Sequence, residues 1–295
     1  MIHDVIIVGG SYAGLAAGLQ IARARRRLAI VDAGQRRNRF AATSHGFLGQ
    51  DGRAPGTIAD EARRQLLAYP TVELIEATVS DAVAGPDGFA VTGPDGLSLQ
   101  GRRLVLATGV IDTLPAIAGL EERWGRSVFH CPYCHGYEID RGRIGVVATG
   151  PISMHQAQLV AEWGQTTLLT NGAFMPDAEQ LADLARRGIA VEASGIERID
   201  GGADVVLDDG RTLEFDGLFT APRTSMASPV AEQLGCRFVE GPMGAYIDIN
   251  PMMETSVAGV FACGDAARAA GSVSLAVGDG CMAGVSAHRS LVFPD

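Results

Sequence analysis

Cysteine is scarce in this sequence, five in 295 residues, and Cys236, Cys263 and Cys281 stand singly among apolar and small residues. That count does not make a disulfide framework; the three read as buried structural thiols of a protein in a reducing compartment. Only Cys131 and Cys134 are paired by spacing. Long apolar runs are missing as well, and none reaches the roughly 18 residues that suggest a membrane span. No charged n-region or cleavage motif separates Met1 from the first strand-like stretch, "HDVIIVGG". The expectation is therefore a soluble, cytoplasmic protein. Positive charge is in deficit: 24 Lys and Arg against 34 Asp and Glu leave a net charge of −10. This balance argues against nucleic acid and anionic membrane surfaces as partners. Two local basic clusters, "RARRRLAIV" and "QRRNRF", read as a solvated helix end and a loop, or as contacts to a phosphorylated ligand.

Glycine is plentiful, at 38 residues, and the length favours two domains. "DVIIVGGSYAGLAAGLQIARARRRLAIVDAG" reads as strand, turn, helix and strand. "VIIV" is a short β-branched run, and "AGLAAGLQIARA" carries apolar and small residues at helical spacing. Between them lies a version of G-x-G-x-x-G, Gly9-Gly10-Ser11-Tyr12-Ala13-Gly14, with Ser11 in the middle glycine position. The first glycine makes the tight turn, and a small middle residue lets a pyrophosphate approach the helix N-terminus, where N–H groups favour negative charge. Asp32 ends the next strand, 18 residues after Gly14, where a carboxylate takes ribose hydroxyls. A helix merely packed tightly on a sheet would not need Asp32.

The C-terminal stretch "ETSVAGVFACGDAARAAGSVSLAVGDGCMAGVSAHRSLV" reads as turn, short strand, Gly264-Asp265, loop, and an apolar helix from near Val273. In the middle, "RRLVLATGV" is another buried strand, ending at Ala107-Thr108-Gly109. This ordered set resembles the FAD domain of the flavoprotein disulfide reductases with two dinucleotide folds, most closely the low-molecular-weight thioredoxin reductase group. The resemblance covers nearly the whole chain. It implies FAD as cofactor, with Gly264 and Asp265 at its ribityl and phosphate region and Ser272 and Val273 near the isoalloxazine ring. Gly9, Ser11, Tyr12, Ala13, Gly14, Asp32, Asn38, Val79, Thr108 and Gly109 complete the expected cofactor set.

"VFHCPYCHGYEID" holds Cys131 and Cys134 with His135 directly after. Such a C-x-x-C-H suits haem attachment, half a zinc site, or a redox dithiol. Haem attachment requires export, to which nothing addresses this chain. Zinc needs four ligands, and the other cysteines are unpaired while His3, His45, His155 and His288 are far apart in sequence. A redox dithiol is the standing reading of C-x-x-C in a cytosolic α/β protein. The resemblance then implies that Cys134 exchanges electrons with the flavin and Cys131 attacks, or is attacked by, the substrate sulfur. Thioredoxin reductases carry C-x-x-C-D; here His135 stands in place of the Asp. Its imidazole would be the catalytic acid/base, or else a helix cap. His130 reads as a packing or capping residue.

A second dinucleotide fold begins with "GRIGVVATGPISMHQAQLVAEWGQTTLLTNG". Its turn, Ala148-Thr149-Gly150-Pro151-Ile152-Ser153, keeps only the middle glycine, and Pro151 removes one N–H from the cradle. The next strand ends in Thr170-Asn171-Gly172, with no arginine cluster for a 2′-phosphate and no carboxylate before Asp177. From this the expectation is a fold kept and a nucleotide pocket lost. "RRNRFAATSHGFLGQDG" and "C-x-x-C-H-G-Y-E" add a likeness to the dithiol oxidases of the gliotoxin and holomycin type and to disulfide oxidoreductases that lack a pyridine-nucleotide site. By that analogy His45 and Phe47 lie near the flavin face; a satisfied loop histidine is the other reading of His45.

The expected architecture is α/β, with two Rossmann-like dinucleotide-binding folds, the second inserted into the first. Residues 1–114 and 242–295 would form the FAD domain and 115–241 the inserted one, with hinges near Pro115 and Gly241. The leading functional expectation is a dithiol/disulfide oxidoreductase working without NAD(P)H, using oxygen or another redox partner. The alternatives are an NADPH-dependent thioredoxin-reductase-like enzyme and a flavin/thiol redox sensor. Partners would be a small-molecule dithiol or disulfide, or a thioredoxin-like protein, and the resemblance implies a homodimer.

Overall fold

The computed structural model describes residues 2–293. It divides into two compact units. The first is made of the segment up to Arg39, Pro55–Ile111 and the segment from Thr224 onward; the second of Phe40–Ala54 and Asp112–Arg223. These crossings differ from the hinges read near Pro115 and Gly241, because Gly and Pro mark bends in a chain rather than the limits of its packing. The two crossings that correspond to those hinges, after Ile111 and after Arg223, fall inside short strands.

In the first unit the chain runs through β1 (Ile2–Val8), α1 (Tyr12–Arg23), β2 (Leu28–Asp32), α2 (Pro55–Leu67), β3 (Val72–Glu76), β4 (Asp81–Gly85), β5 (Gly88–Thr92) and β6 (Ser98–Leu106). "VIIV" is continuously apolar because its strand is covered on both faces. Val5 and Ile7 pack with α1, whereas Ile6 and Val8 join Ala82, Phe89 and Val91 on the opposite side. Burying each such side chain contributes roughly 1.5–3 kcal/mol. Two P-D-G turns link β4 to β5 and β5 to β6, and those pairings are antiparallel.

The chain passes through β7 (Val110–Thr113) into the second unit. There follow β8 (Val128–Phe129), α3 (Pro132–His135), β9 (Arg141–Val147), α4 (Ile152–Val160), β10 (Gly164–Leu169), α5 (Ala178–Arg186), β11 (Ala190–Glu192), β12 (Ile196–Asp200), β13 (Asp204–Leu207), β14 (Thr212–Leu213) and β15 (Gly217–Thr220). Five strands form a parallel sheet in the order β11-β10-β9-β15-β8. β12, β13 and β14 form a separate antiparallel sheet. The segment "DGLF" leads into β15, which lies between β9 and β8 in the parallel sheet. Its residues Leu218 and Phe219 are fully buried on opposite faces, the pattern of a strand covered on both sides.

The return passes through β16 (Arg223–Met226) to α6 (Val230–Gln233), β17 (Phe238–Val239), β18 (Tyr246–Ile247), β19 (Val260–Ala262) and α7 (Val273–Val292). β19 joins β6 in parallel, completing the sheet β3-β2-β1-β6-β5-β4. Ser272 caps α7, accepting from the Leu275 amide at 3.2 Å. α7 lies directly on α1: a Cβ at Gly280 would stand 2.1 Å from the Ala13 carbonyl oxygen, so only glycine permits this approach. Among the described residues no helix is long and apolar enough to cross a membrane. Cys236 and Cys263 are buried, as read from sequence, but Cys281 on α7 is partly exposed.

Candidate active site

The first unit gathers the glycine turn and the two later fragments at one edge of its sheet. β1, β6 and β19 are neighbouring parallel strands, with Val8 in register with Leu106, and Leu106 with Ala262. Gly9, Thr108 and Gly264 therefore follow the carboxyl ends of adjacent strands, the position at which such sheets bind ligands. Gly9 adopts φ +103°, and a Cβ on Gly14 would lie 1.8 Å from the Gly9 carbonyl oxygen, so the turn closes only with glycine at both ends. Ser11 is the N-cap of α1 but makes no side-chain capping bond, which leaves the first-turn amides of Tyr12, Ala13 and Gly14 available to an anion. Gly109 adopts φ +69° with open space beside it.

Several expected cofactor residues are already engaged by the protein. Asp32 accepts from the Gly10 amide at 3.1 Å and from Arg63 at 2.8 Å, so it braces the turn as well as standing at the ribose position. The buried Tyr12 hydroxyl donates to the Pro55 carbonyl at 3.0 Å and accepts from Asn38 Nδ2 at 3.2 Å. Burial pushes this phenol up, against the opposing pulls of Asn38 and Arg36. Val79 is a buried core residue, leaving its backbone alone to meet a ligand. Asp265 pairs with Arg37 at 2.9 Å. That pair draws one arginine of "QRRNRF" into the cradle, where sequence offered a solvated loop as the first reading. Asn38 Oδ1 and Arg36 Nε are buried with no hydrogen-bond partner. Such orphans are costly unless a ligand satisfies them.

The dithiol belongs to the second unit. Cys131 is the N-cap of α3 and Cys134 its third residue, with the sulfurs 2.8 Å apart and the Cys134 thiol donating. The hydrogen bond to Cys131, burial, and then the charges of Cys131 and Glu138 push the Cys134 thiol well up. Cys134 thus keeps its proton while Cys131 accepts. His135 does not serve as the helix cap of its second reading. Its ring stacks on Phe129 (centroids 4.3 Å apart, planes at 12°), and neither ring nitrogen has a hydrogen-bond partner, so it caps nothing. Burial holds this imidazole below its ordinary value, against the Glu138 charge and with the help of His45. His130 is a packing residue whose carbonyl accepts from Gln156 at 3.0 Å. His45, expected with the cofactor set, lies on the Phe40–Ala54 segment of this second unit. Its Nε2 is 3.1 Å from Thr43 Oγ1 and 3.4 Å from Glu138 Oε1, and its Nδ1 is 3.5 Å from Asp51. Phe47 shares that loop and unit.

The second turn keeps the strand–turn–helix–strand frame of β9, α4 and β10. Gly150 adopts φ +152° with open space around it, while the Thr149 amide donates to Ser153 Oγ at 3.0 Å. Asn171 Oδ1 accepts from the Ile196 amide at 2.7 Å. Asp177, too late in the chain for a ribose, caps α5 in a reciprocal box with Gln180.

Comparison with known proteins agrees with this geometry. The sequence profile of the pyridine nucleotide-disulphide oxidoreductase family matches residues 3–280. Thioredoxin reductase tcpT of Claviceps purpurea (strain 20.1) is 32% identical, over 99% of this chain and 95% of its own. Thioredoxin reductase sirT of Leptosphaeria maculans is likewise 32% identical, over 96% and 92%. The solved oxidoreductase from Agrobacterium tumefaciens shares 57% identity and a TM-score of 0.97, with both chains covered completely. The chain belongs to the pyridine nucleotide-disulphide oxidoreductase family. Within it, this is a thioredoxin-reductase-like, FAD-dependent thiol–disulfide oxidoreductase.

Two expectations are settled by these matches. FAD is the cofactor. The expectation of an enzyme working without NAD(P)H is overturned: the family profile runs through the second fold, and the relatives above are thioredoxin reductases, not a dithiol-oxidase subgroup. The frame of β9, α4 and β10 is kept as expected; the eroded glycine pattern misled because a pyrophosphate is bound by backbone N–H groups at a helix N-terminus, which the loss of individual fingerprint residues does not by itself remove.

The orphaned Asn38 Oδ1, the closed Gly9–Gly14 turn and the open space at Gly109 fit a bound dinucleotide. Asn38→Leu is expected to raise the FAD dissociation constant about tenfold, the worth of one buried hydrogen bond. Fluorescence titration of apoprotein with FAD checks this.

Proposed function

We propose that this chain is an NADPH-dependent disulfide reductase of thioredoxin-reductase type, acting on the disulfide of a thioredoxin-like protein through Cys131 and Cys134. The observation that carries this reading is the sulfur pair 2.8 Å apart, with Cys134 donating to Cys131, in a unit that also keeps the β9–α4–β10 dinucleotide frame. Bound FAD supplies two-electron transfer between a nicotinamide and the dithiol. The protein's own residues do the rest. Cys131 is the interchange sulfur, because the thiol that holds its proton is Cys134. Gly9 to Gly14, Asn38, Thr108, Gly109, Gly264, Asp265, Ser272 and Val273 hold the cofactor, and Asp32 and Arg63 keep the turn closed.

Anaerobic titration of the holoenzyme tests the reading. Stoichiometric bleaching of the flavin absorbance by NADPH is expected, followed by reoxidation on adding an oxidised thioredoxin. Bleaching by dithiothreitol but by neither NADPH nor NADH would overturn it.

A further inference from the structure

We propose that Glu138, held by His45, is the positioning carboxylate that governs the protons of the Cys131–Cys134 pair. It does so from one helical turn beyond the place an aspartate occupies in C-x-x-C-D. The inference rests on the reading of this pair as the redox dithiol.

The geometry comes from the local backbone. α3 does not stop the helical path at His135, since Gly136 keeps φ −72° and ψ −33° and a 3₁₀ turn continues over Tyr137–Ile139. The Gly136 amide bonds the Pro132 carbonyl at 2.7 Å, and the Ile139 amide bonds that of Gly136 at 3.3 Å. Glu138 is thus the i+4 neighbour of Cys134 and the i+3 neighbour of His135, on one helical face. Its carboxylate is half-exposed, and its partner is His45 Nε2 at 3.4 Å. His45 is in turn steadied by Thr43 and by Asp51. The titratable groups around Glu138 are therefore Cys134 (with Cys131 behind it) and His135 on its own element, and His45 (with Asp51 behind it) on the facing loop. Glu138 acts on both Cys134 and His135.

The step that needs this carboxylate closes the thiol cycle. A mixed disulfide joins Cys131 to the substrate sulfur. As the Cys134 sulfur attacks, the Cys134 S–H bond and the Cys131–substrate bond break and the Cys131–Cys134 bond forms. The substrate sulfur leaves with the electron pair, and the Cys134 proton passes through a base to that sulfur. Across the two exchanges the substrate disulfide gains two electrons and two protons from the dithiol. His135, with two unpartnered nitrogens, is the adjacent base, and the Glu138 charge favours its protonated form. His45 sets how much of that charge is felt.

The test uses holoenzyme reduced anaerobically with dithiothreitol and freed of excess. Cys134 alkylation by iodoacetamide is followed by mass spectrometry over about pH 5 to 10, for wild type, Glu138→Gln, Glu138→Asp and His45→Gln. Glu138→Gln is expected to move the profile to lower pH, because an anion opposing the thiolate is gone. It is also expected to slow flavin bleaching by dithiothreitol on the order of 100-fold, the low end of general acid–base effects. Glu138→Asp restores part of the rate, and His45→Gln moves the profile to higher pH. Profiles and bleaching rates that coincide in wild type, Glu138→Gln and His45→Gln would overturn the proposal. Neither readout uses a nucleotide or a protein substrate, so failure here is distinguishable from failure of NADPH to bleach the flavin.

Discussion

Cys134→Ser is expected to trap its substrate, and Cys131→Ser to release it untouched. With Cys134 gone, Cys131 still attacks a disulfide, but no second thiol resolves the mixed disulfide, which accumulates. Intact mass of the protein after incubation with an oxidised thioredoxin reads the adduct directly. Both variants lose turnover by several orders of magnitude, because each removes a sulfur that must form a covalent bond. Both keep their yellow colour, since the cysteines lie in the second unit and the cofactor cradle in the first. The asymmetry follows from the 2.8 Å contact in which Cys134 donates to Cys131. An adduct on Cys131→Ser and none on Cys134→Ser would reverse the two roles.

The second large effect is expected in the cradle. Gly14→Val brings a Cβ to within 1.8 Å of the Gly9 carbonyl oxygen, which is backbone and cannot swing aside. The other end of the turn is as tight, since a Cβ on Gly9 would stand 2.2 Å from the Ala107 carbonyl oxygen. The turn must open, which costs several kcal/mol on the scale of overpacked cores and strained backbone. It also withdraws the α1 amides from any pyrophosphate. Purified Gly14→Val is expected to be colourless and to unfold at a lower temperature than wild-type apoprotein. Gly278→Ala is the control: open space surrounds that helical position, and replacing glycine there is worth up to about 1 kcal/mol of added stability. Flavin retained at wild-type affinity in Gly14→Val would show that the turn is not the pyrophosphate site.

Short-range patterns made much of this protein legible from sequence alone. The β1–α1–β2 unit was readable because its apolar period, its glycines and its terminal acid are all local. So were the Gly264–Val273 segment and the Cys131–Cys134 spacing. The absent second fingerprint was a weaker guide. It was right that the fold is kept, since β9 and β10 pair in parallel, but residue identities at a turn do not report whether its backbone still takes a nucleotide.

What only the tertiary structure decided were partnerships between residues far apart in sequence. Arg63 closes on Asp32, Arg37 on Asp265, and the Phe40–Ala54 segment joins the unit that carries the cysteines. His45 meets Glu138, and Asn38 ends with a buried, unanswered oxygen. No period or composition encodes such pairs. A loop side chain's partner is set by where the packed sheets deliver the two backbones, and that is a property of the whole fold.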